Sequence, residues 1–191
     1  MVGLFGGSFD PVHHGHLIVA RAVAEAAGLK EVRFVPAREQ PFKAGLHGAS
    51  AAERAAMLEL AIEGEPGFGV ERLELERPGP SYTVDTLRAL RAREPGTRFA
   101  LMVGADAARE LPQWKEAAAV PGLATLVVFA RPGTAVPAGL PDRTVVVEAP
   151  QVDISATAVR ARVRAGRSVR YLVPDAVAAY VATHRLYRDG E

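Results

Sequence analysis

The sequence contains no cysteine, which removes disulfides, thiolate zinc sites, iron–sulfur clusters and cysteine nucleophiles from consideration. It also has no asparagine, and only three of its 23 basic residues are lysines. That bias, with abundant alanine and proline, points to a high-GC or thermophilic source and leaves function open. It does make each lysine worth inspecting. An excess of either charge is missing too: the formal net charge is +1, too balanced for bulk attraction to nucleic acid. No apolar run approaches the roughly 18 residues of a membrane span. The opening MVGLFGGSFD has neither a basic run nor a signal-length apolar stretch, so a cytoplasmic location is expected. What is present is a chain of 191 residues, 49% hydrophobic and 24% charged, enough to bury one substantial core.

Short apolar runs alternate with helical periodicity. Strands are expected at Val2–Phe5, Glu31–Val35, Val70–Leu75, Arg98–Val103, Leu123–Ala130 and Arg143–Glu148. Helices are expected from about Gly15 to Ala27 with Gly28 as cap, from the Ser50 cap to about Glu63, over Thr83–Arg93, from Ser155 to about Ala165, and over Pro174–Thr183. The pattern predicts an α/β fold: a Rossmann-like parallel sheet with helices on both faces, in one domain, 1–191, whose portion from about 155 is helical. Ligands should gather at the carboxyl ends of the strands, where Gly6–His16, Ala37–His47 and Gly104–Lys115 fall.

The most informative segment is Gly6-Gly7-Ser8-Phe9-Asp10-Pro11-Val12-His13-His14-Gly15-His16. Two glycines directly after a buried strand let the backbone approach a ligand and offer its amides. The helix that follows aims its N-terminus at the same spot, favouring a phosphate. His13 and His16 are three apart and project from one face of the first turn, with Gly15 keeping that face open. Neither common phosphate loop is present: there is no G-x-x-x-x-G-K-[ST], and no G-x-G-x-x-G after the first strand.

The stretch G-x-F-D-P-x-H-x-G-H resembles the signature of nucleotidyltransferases that bind ATP or CTP at an H/T-x-G-H motif. Gly104-Ala105-Asp106 with Leu111-Pro112-Gln113-Trp114, Pro80-Ser81-Tyr82-Thr83-Val84-Asp85-Thr86, and Ile154-Ser155-Ala156-Thr157-Ala158-Val159-Arg160 are similar to segments of bacterial nicotinate-nucleotide adenylyltransferases. So is Val169-Arg170-Tyr171-Leu172-Val173-Pro174, and the likeness runs from Gly3 to about Tyr187. It implies transfer of AMP from ATP to nicotinate mononucleotide, with Mg²⁺ carried on the triphosphate and no resident metal. The attacking phosphate is largely ionised at neutral pH, so neither a general base nor a side-chain nucleophile is required. Positioning and neutralisation of phosphate charge are the work.

On that resemblance, His13, His16, Lys43 and Arg160 are the expected catalytic residues. ATP is expected at Gly6, Gly7, Ser8, Phe9, His13, His16, Asp106, Ser155, Thr157 and Arg160, and the mononucleotide at Lys43, Tyr82, Thr83, Asp106 and Trp114. The family often has histidine before its phosphate-contacting lysine; here Phe42 stands there. Arg160 is expected to fork onto the β- and γ-phosphates, sharing one helical face with Arg164 and Arg167. Each residue also has a plainer reading: Ser155, Thr157 and Thr83 as caps, Asp106 as an N-cap after Gly104, Tyr82 and Trp114 as packed rings, Lys43 as a solvated lysine. His14, His47 and His184 read as structural or surface histidines. Competing functions are adenylyl transfer to nicotinamide mononucleotide or to pantetheine phosphate, and a silent nucleotide-binding regulatory domain. Neither nucleic acid nor membrane is an expected partner, and a homo-oligomer is left open.

Overall fold

The computed structural model describes residues 1–39, 48–130 and 133–188. In chain order the described elements are β1 (Val2–Gly7), α1 (His14–Ala26), β2 (Glu31–Pro36), α2 (Ala51–Ile62), β3 (Phe68–Val70), α3 (Leu73–Glu76), α4 (Thr83–Arg93), β4 (Phe99–Gly104), α5 (Ala105–Arg109), α6 (Val120–Leu123), β5 (Thr125–Ala130), β6 (Val145–Glu148), α7 (Ala156–Arg164) and α8 (Asp175–Thr183). The strands form one six-stranded sheet in the order β3-β2-β1-β4-β5-β6, and every pair is parallel. The expected α/β architecture is the one observed.

Period-two alternation along the central strands divides the interior into two layers. Phe5, Phe34, Met102 and Val127 face one cluster, which α1, α2 and α8 complete through Val23, Met57, Leu58 and Val177. Leu4, Val35, Leu101 and Val128 face the other, closed by Leu87 and Leu90 of α4 with Ala108 and Val120. Because β1 pairs with β2 on one side and β4 on the other, the chain reverses direction of travel across the sheet between β1 and β4. The Gly6-Gly7 and Gly104 ends of these strands therefore open onto the crevice where α/β sheets take ligands.

Helix boundaries follow the caps. Ser50 and Glu53 form a reciprocal box at α2, with the Ser50 N–H on Glu53 Oε2 at 2.7 Å and the Glu53 N–H on Ser50 Oγ at 3.3 Å. Gly28, at φ +62°, takes the left-handed position that closes α1.

Three readings need correction. Val70–Leu75 is not a strand: pairing ends at Val70, and Leu73–Glu76 turns helical. Its alternation misleads because the charged positions are buried with partners. Glu71 meets Arg33 and Arg93, and Glu74 accepts from Thr86 Oγ1 at 2.7 Å. The run from Leu123 begins as the end of α6, with β5 starting at Thr125. The stretch after Gly104 is not an open loop but α5 and 3-10 turns at Leu111–Gln113 and Ala117–Ala119.

Candidate active site

Gly6 and Gly7 end β1 for different reasons. A Cβ on Gly7 would lie 2.9 Å from the Phe9 ring, whereas one on Gly6 would meet nothing within 4 Å. Packing therefore requires glycine only at the second position, and the first leaves an exposed backbone over open space. Phe9 itself sits at φ 49°, a left-handed backbone that an aromatic residue rarely takes. Its ring is buried, with centroids 5.8 Å from Phe5 and 5.6 Å from Phe34. That burial holds the turn. The carbonyl of Ser8 accepts from Arg54 Nη1 at 2.7 Å, and Arg54 Nη2 reaches the Arg38 carbonyl at 3.2 Å. Arg54 is 1% exposed, and burial pulls its pKa down from the usual arginine range. The sequence reading missed Arg54. Its signal is position: it shares the buried stripe of α2 with Met57 and Leu58.

Asp10 is the second residue missed. Its buried carboxylate accepts from the Gly48 N–H at 2.7 Å, the Ala49 N–H at 3.1 Å and the Tyr187 hydroxyl at 2.8 Å. Its carbonyl accepts from Arg160 Nη1 at 2.7 Å. Asp10 thus ties the glycine loop to the entry of α2, to α7 and to the C-terminal segment. Lys43 lies outside the described residues, as do Phe42 and His47. Both flanks of that segment are anchored: Glu39 accepts from the Ser81 N–H, and Gly48 donates to Asp10.

His13 and His16 are brought together as their spacing implies. His13 is the N-cap of α1 and His16 stands in its first turn, with the imidazoles stacked at 3.7 Å between centroids. Gly15 is not there to keep the face open: a Cβ would come within 3.0 Å of His13 Nδ1, so glycine makes room for the His13 ring. The His13 N–H donates to His16 Nδ1 at 3.3 Å. In a neutral ring this places the proton of His16 on Nε2, which becomes a donor. Burial, reinforced by the adjacent histidine, lowers His16 to about 3, with Phe9 and Phe5 edges walling its ring. Burial chiefly, and His14 in addition, lowers His13 to about 4. Both rings are neutral at pH 7.

At α7 the Ala158 N–H donates to Ser155 Oγ at 3.1 Å, so Ser155 is the cap of its plainer reading, with Thr157 exposed beside it. Arg160 is held between the Asp10 carbonyl and Thr157 Oγ1, the latter at 3.4 Å. Arg167 does not share the face of Arg160 and Arg164. The helix ends at Arg164, and the Arg167 N–H turns back onto the Arg162 carbonyl.

Tyr82 caps α4 and Thr83 begins it. The turn before it is fixed from two sides, by the Arg38 N–H on Ser81 Oγ at 3.1 Å and by Thr86 on buried Glu74. Burial raises the Glu74 pKa above the usual carboxylate range. Asp106 is not an N-cap: Gly104 takes that place, and Asp106 stands in the first turn of α5, exposed and paired with Arg109. Trp114 is half-buried, one side packed on the cluster of Leu111 and Val120. Beside it, Lys115 places its ammonium 4.8 Å from the Tyr82 ring centroid and 2.9 Å from Asp85. Lys115 therefore brings the Trp114 segment to the start of α4.

No group of three or more His, Asp or Glu that could hold a metal ion exists among the described residues. No helix among them is long and apolar enough to cross a membrane.

Known proteins resemble this chain in sequence and in fold. The family described as cytidylyltransferase-like matches residues 4–162. A protein of Thermus thermophilus is 49% identical over 188 residues, covering 98% of this chain and 99% of its own. One of Roseiflexus sp. (strain RS-1) is 45% identical, with 98% of both chains covered. Each bears the name "Probable nicotinate-nucleotide adenylyltransferase". Among solved structures, the Plasmodium falciparum nicotinic acid mononucleotide adenylyltransferase complexed with NaAD aligns with a TM-score of 0.80 at 17% identity. It covers 97% of this chain and 96% of that one, a likeness of fold.

Proposed function

The chain belongs to the cytidylyltransferase-like family and, within it, to the nicotinate-nucleotide adenylyltransferases, and from that premise we infer how its residues do the work. It is a nucleotidyltransferase that moves AMP from ATP to nicotinate mononucleotide, giving deamido-NAD and pyrophosphate. An oxygen of the mononucleotide phosphate attacks the α-phosphorus in line. That P–O bond forms as the bond to pyrophosphate breaks, and the leaving group carries away the electron pair. The acceptor arrives ionised, so no side chain need take a proton.

One observation carries the site reading: the stacked, neutral His13–His16 pair at the N-terminus of α1, beside the open backbone of Gly6. His16 presents Nε2–H to phosphate oxygens without requiring a protonated ring. His13 shares the role, and the amides around Gly6, Gly7, Ser8 and Phe9 receive the triphosphate. Arg160, oriented by Asp10 and Thr157, meets the β- and γ-phosphates, with Ser155 and Thr157 at the mouth of α7. Lys43 supplies further positive charge. Asp106 lies toward the ribose, Trp114 offers its exposed face to the pyridine ring, and the Tyr82-Thr83 amides read the carboxylate. Mg²⁺ enters with ATP, since the surroundings provide imidazole, amide and guanidinium donors rather than a carboxylate cage. The chain acts as one nucleotidyltransferase domain, and the cytoplasm is its proposed location.

Pyrophosphate release from ATP with nicotinate or nicotinamide mononucleotide tests this reading. The neutral amide leaves its NH₂ facing donors, a mismatch of about 1–3 kcal/mol for each unpaired group. The acid should win by at least about tenfold in kcat/KM. Equal efficiencies would mean recognition by shape and stacking alone.

A further inference from the structure

Helix α4 and the segment after Trp114 are joined by two ion pairs of opposite polarity. Lys115 Nζ lies 2.9 Å from Asp85 Oδ2. Arg88 is bidentate on the next residue, Glu116, at 2.6 and 3.1 Å. Consecutive side chains both reach the helix because Glu116 takes a left-handed backbone, φ 48°. The Lys115 ammonium also sits over the Tyr82 ring, 4.8 Å from its centroid. The other charged groups at this end of α4 are accounted for: Glu74 is buried on Thr86, which also accepts from Arg77.

Asp85 stands in the first turn of α4. An acidic residue there competes for the positive end of the helix with any anion that binds at that end. If the acceptor carboxylate is read at Tyr82-Thr83, an unpaired Asp85 opposes it. We propose that the Asp85–Lys115 ion pair is a specificity determinant of the acceptor site, Lys115 cancelling the Asp85 charge so that α4 favours an acidic pyridine over its neutral amide. The inference rests on the acceptor reading above. Lys115 acts here as a positioning residue for charge and need not touch the substrate.

A strap that merely held Trp114 in place would serve both acceptors alike. Charge cancellation shifts the acid-to-amide ratio, because the two acceptors share their phosphate and pyridinium and differ only in the carboxylate that Asp85 repels. The side chains are 30% and 42% exposed, so water and salt temper the effect.

The experiment compares kcat/KM for nicotinate and nicotinamide mononucleotide in the wild type, Lys115→Met, Asp85→Asn and the double variant, at low ionic strength. Lys115→Met should lower the acid-to-amide ratio by about five- to tenfold. Removing Asp85 as well should return the ratio to within about threefold of wild type, as expected when one charge acts only through the other. Equal loss on both acceptors in Lys115→Met would overturn the proposal in favour of a mechanical strap. A double variant as unselective as Lys115→Met would overturn it in favour of direct contact between the ammonium and the carboxylate. A wild type that releases no pyrophosphate with either mononucleotide would sink the acceptor reading itself, and this inference with it.

Discussion

The hydroxyl of Tyr187 donates to Asp10 Oδ1 at 2.8 Å, joining residues 177 positions apart in the chain. The same carboxylate accepts from the Gly48 and Ala49 amides, and the Asp10 carbonyl holds Arg160. One buried residue thereby sets the relative positions of the glycine loop, the entry to α2 and the arginine of α7. Burial, with the negative charge of Asp10, raises the Tyr187 pKa above the usual tyrosine range, so the phenol stays a donor throughout the working pH range. Tyr187→Phe should cost about 1–3 kcal/mol of stability, the cost of a buried acceptor losing a partner. It should also raise KM for ATP. A urea midpoint and a KM both unchanged from wild type would remove Tyr187 from this role.

His16→Ala should reduce kcat by about 10²–10³, the usual loss for one electrostatic donor to developing charge. Acceptor binding should change little. Turnover within about threefold of wild type would dismiss the assignment.

The same histidines make a prediction about acid. Their folded values, about 4 for His13 and about 3 for His16, lie below the unfolded value of about 6.5. Between these values the unfolded chain binds more protons. The stability they provide is complete above about pH 6.5 and declines as pH falls through the folded values. Denaturant unfolding should show a loss on the order of 1–2 kcal/mol per histidine from pH 7 to pH 5. His16→Gln should flatten that slope. A slope equal to wild type would show that His16 titrates normally.

The two glycines of the first loop should separate folding from binding. Gly6→Ala meets no neighbour and should leave stability within about 0.5 kcal/mol while raising KM for ATP. Gly7→Ala drives a methyl into the Phe9 ring and should cost about 1–3 kcal/mol. The comparison requires calorimetry and ATP titration of both variants.

Trp114→Ala should raise KM for the mononucleotide and leave that for ATP nearly unchanged. Stacking is worth about 0.5–1.5 kcal/mol beyond area burial. Because one face packs on Leu111 and Val120, some stability should be lost as well. As Trp114 is the only tryptophan, intrinsic fluorescence reports its surroundings directly. It should respond to the mononucleotide alone, and a response only to ATP would assign the ring to the core.

The sheet and most helices were legible because their apolar periodicity and caps are local, as at Ser50-Glu53 and Gly28. The Val70–Leu75 misreading arose where long-range pairing buried Glu71 and Glu74, which no local pattern displays. The same limit hid three residues that hold the candidate site together. Gly6–His16 announces itself as a contiguous motif, but Asp10, Arg54 and Tyr187 act through partners 38, 46 and 177 positions away. The scarcity of lysine drew attention to all three lysines alike, and nothing in the spacing of Lys115 pointed to Asp85, 30 residues earlier.

The contact between residues 10 and 187 also bears on how the protein is made. Synthesis delivers the glycine loop first and the tyrosine that completes it near the end of the described chain. In a growing chain Gly48 and Ala49, the other donors to the Asp10 carboxylate, are made well before Tyr187, which follows α7 and α8. The hydrogen bond from Tyr187 to Asp10 therefore cannot form in step with the β1 strand that leads into the glycine loop. That tie waits until Tyr187 has been made and has left the ribosome, so a nascent chain carries the Gly6–Asp10 turn without its last donor.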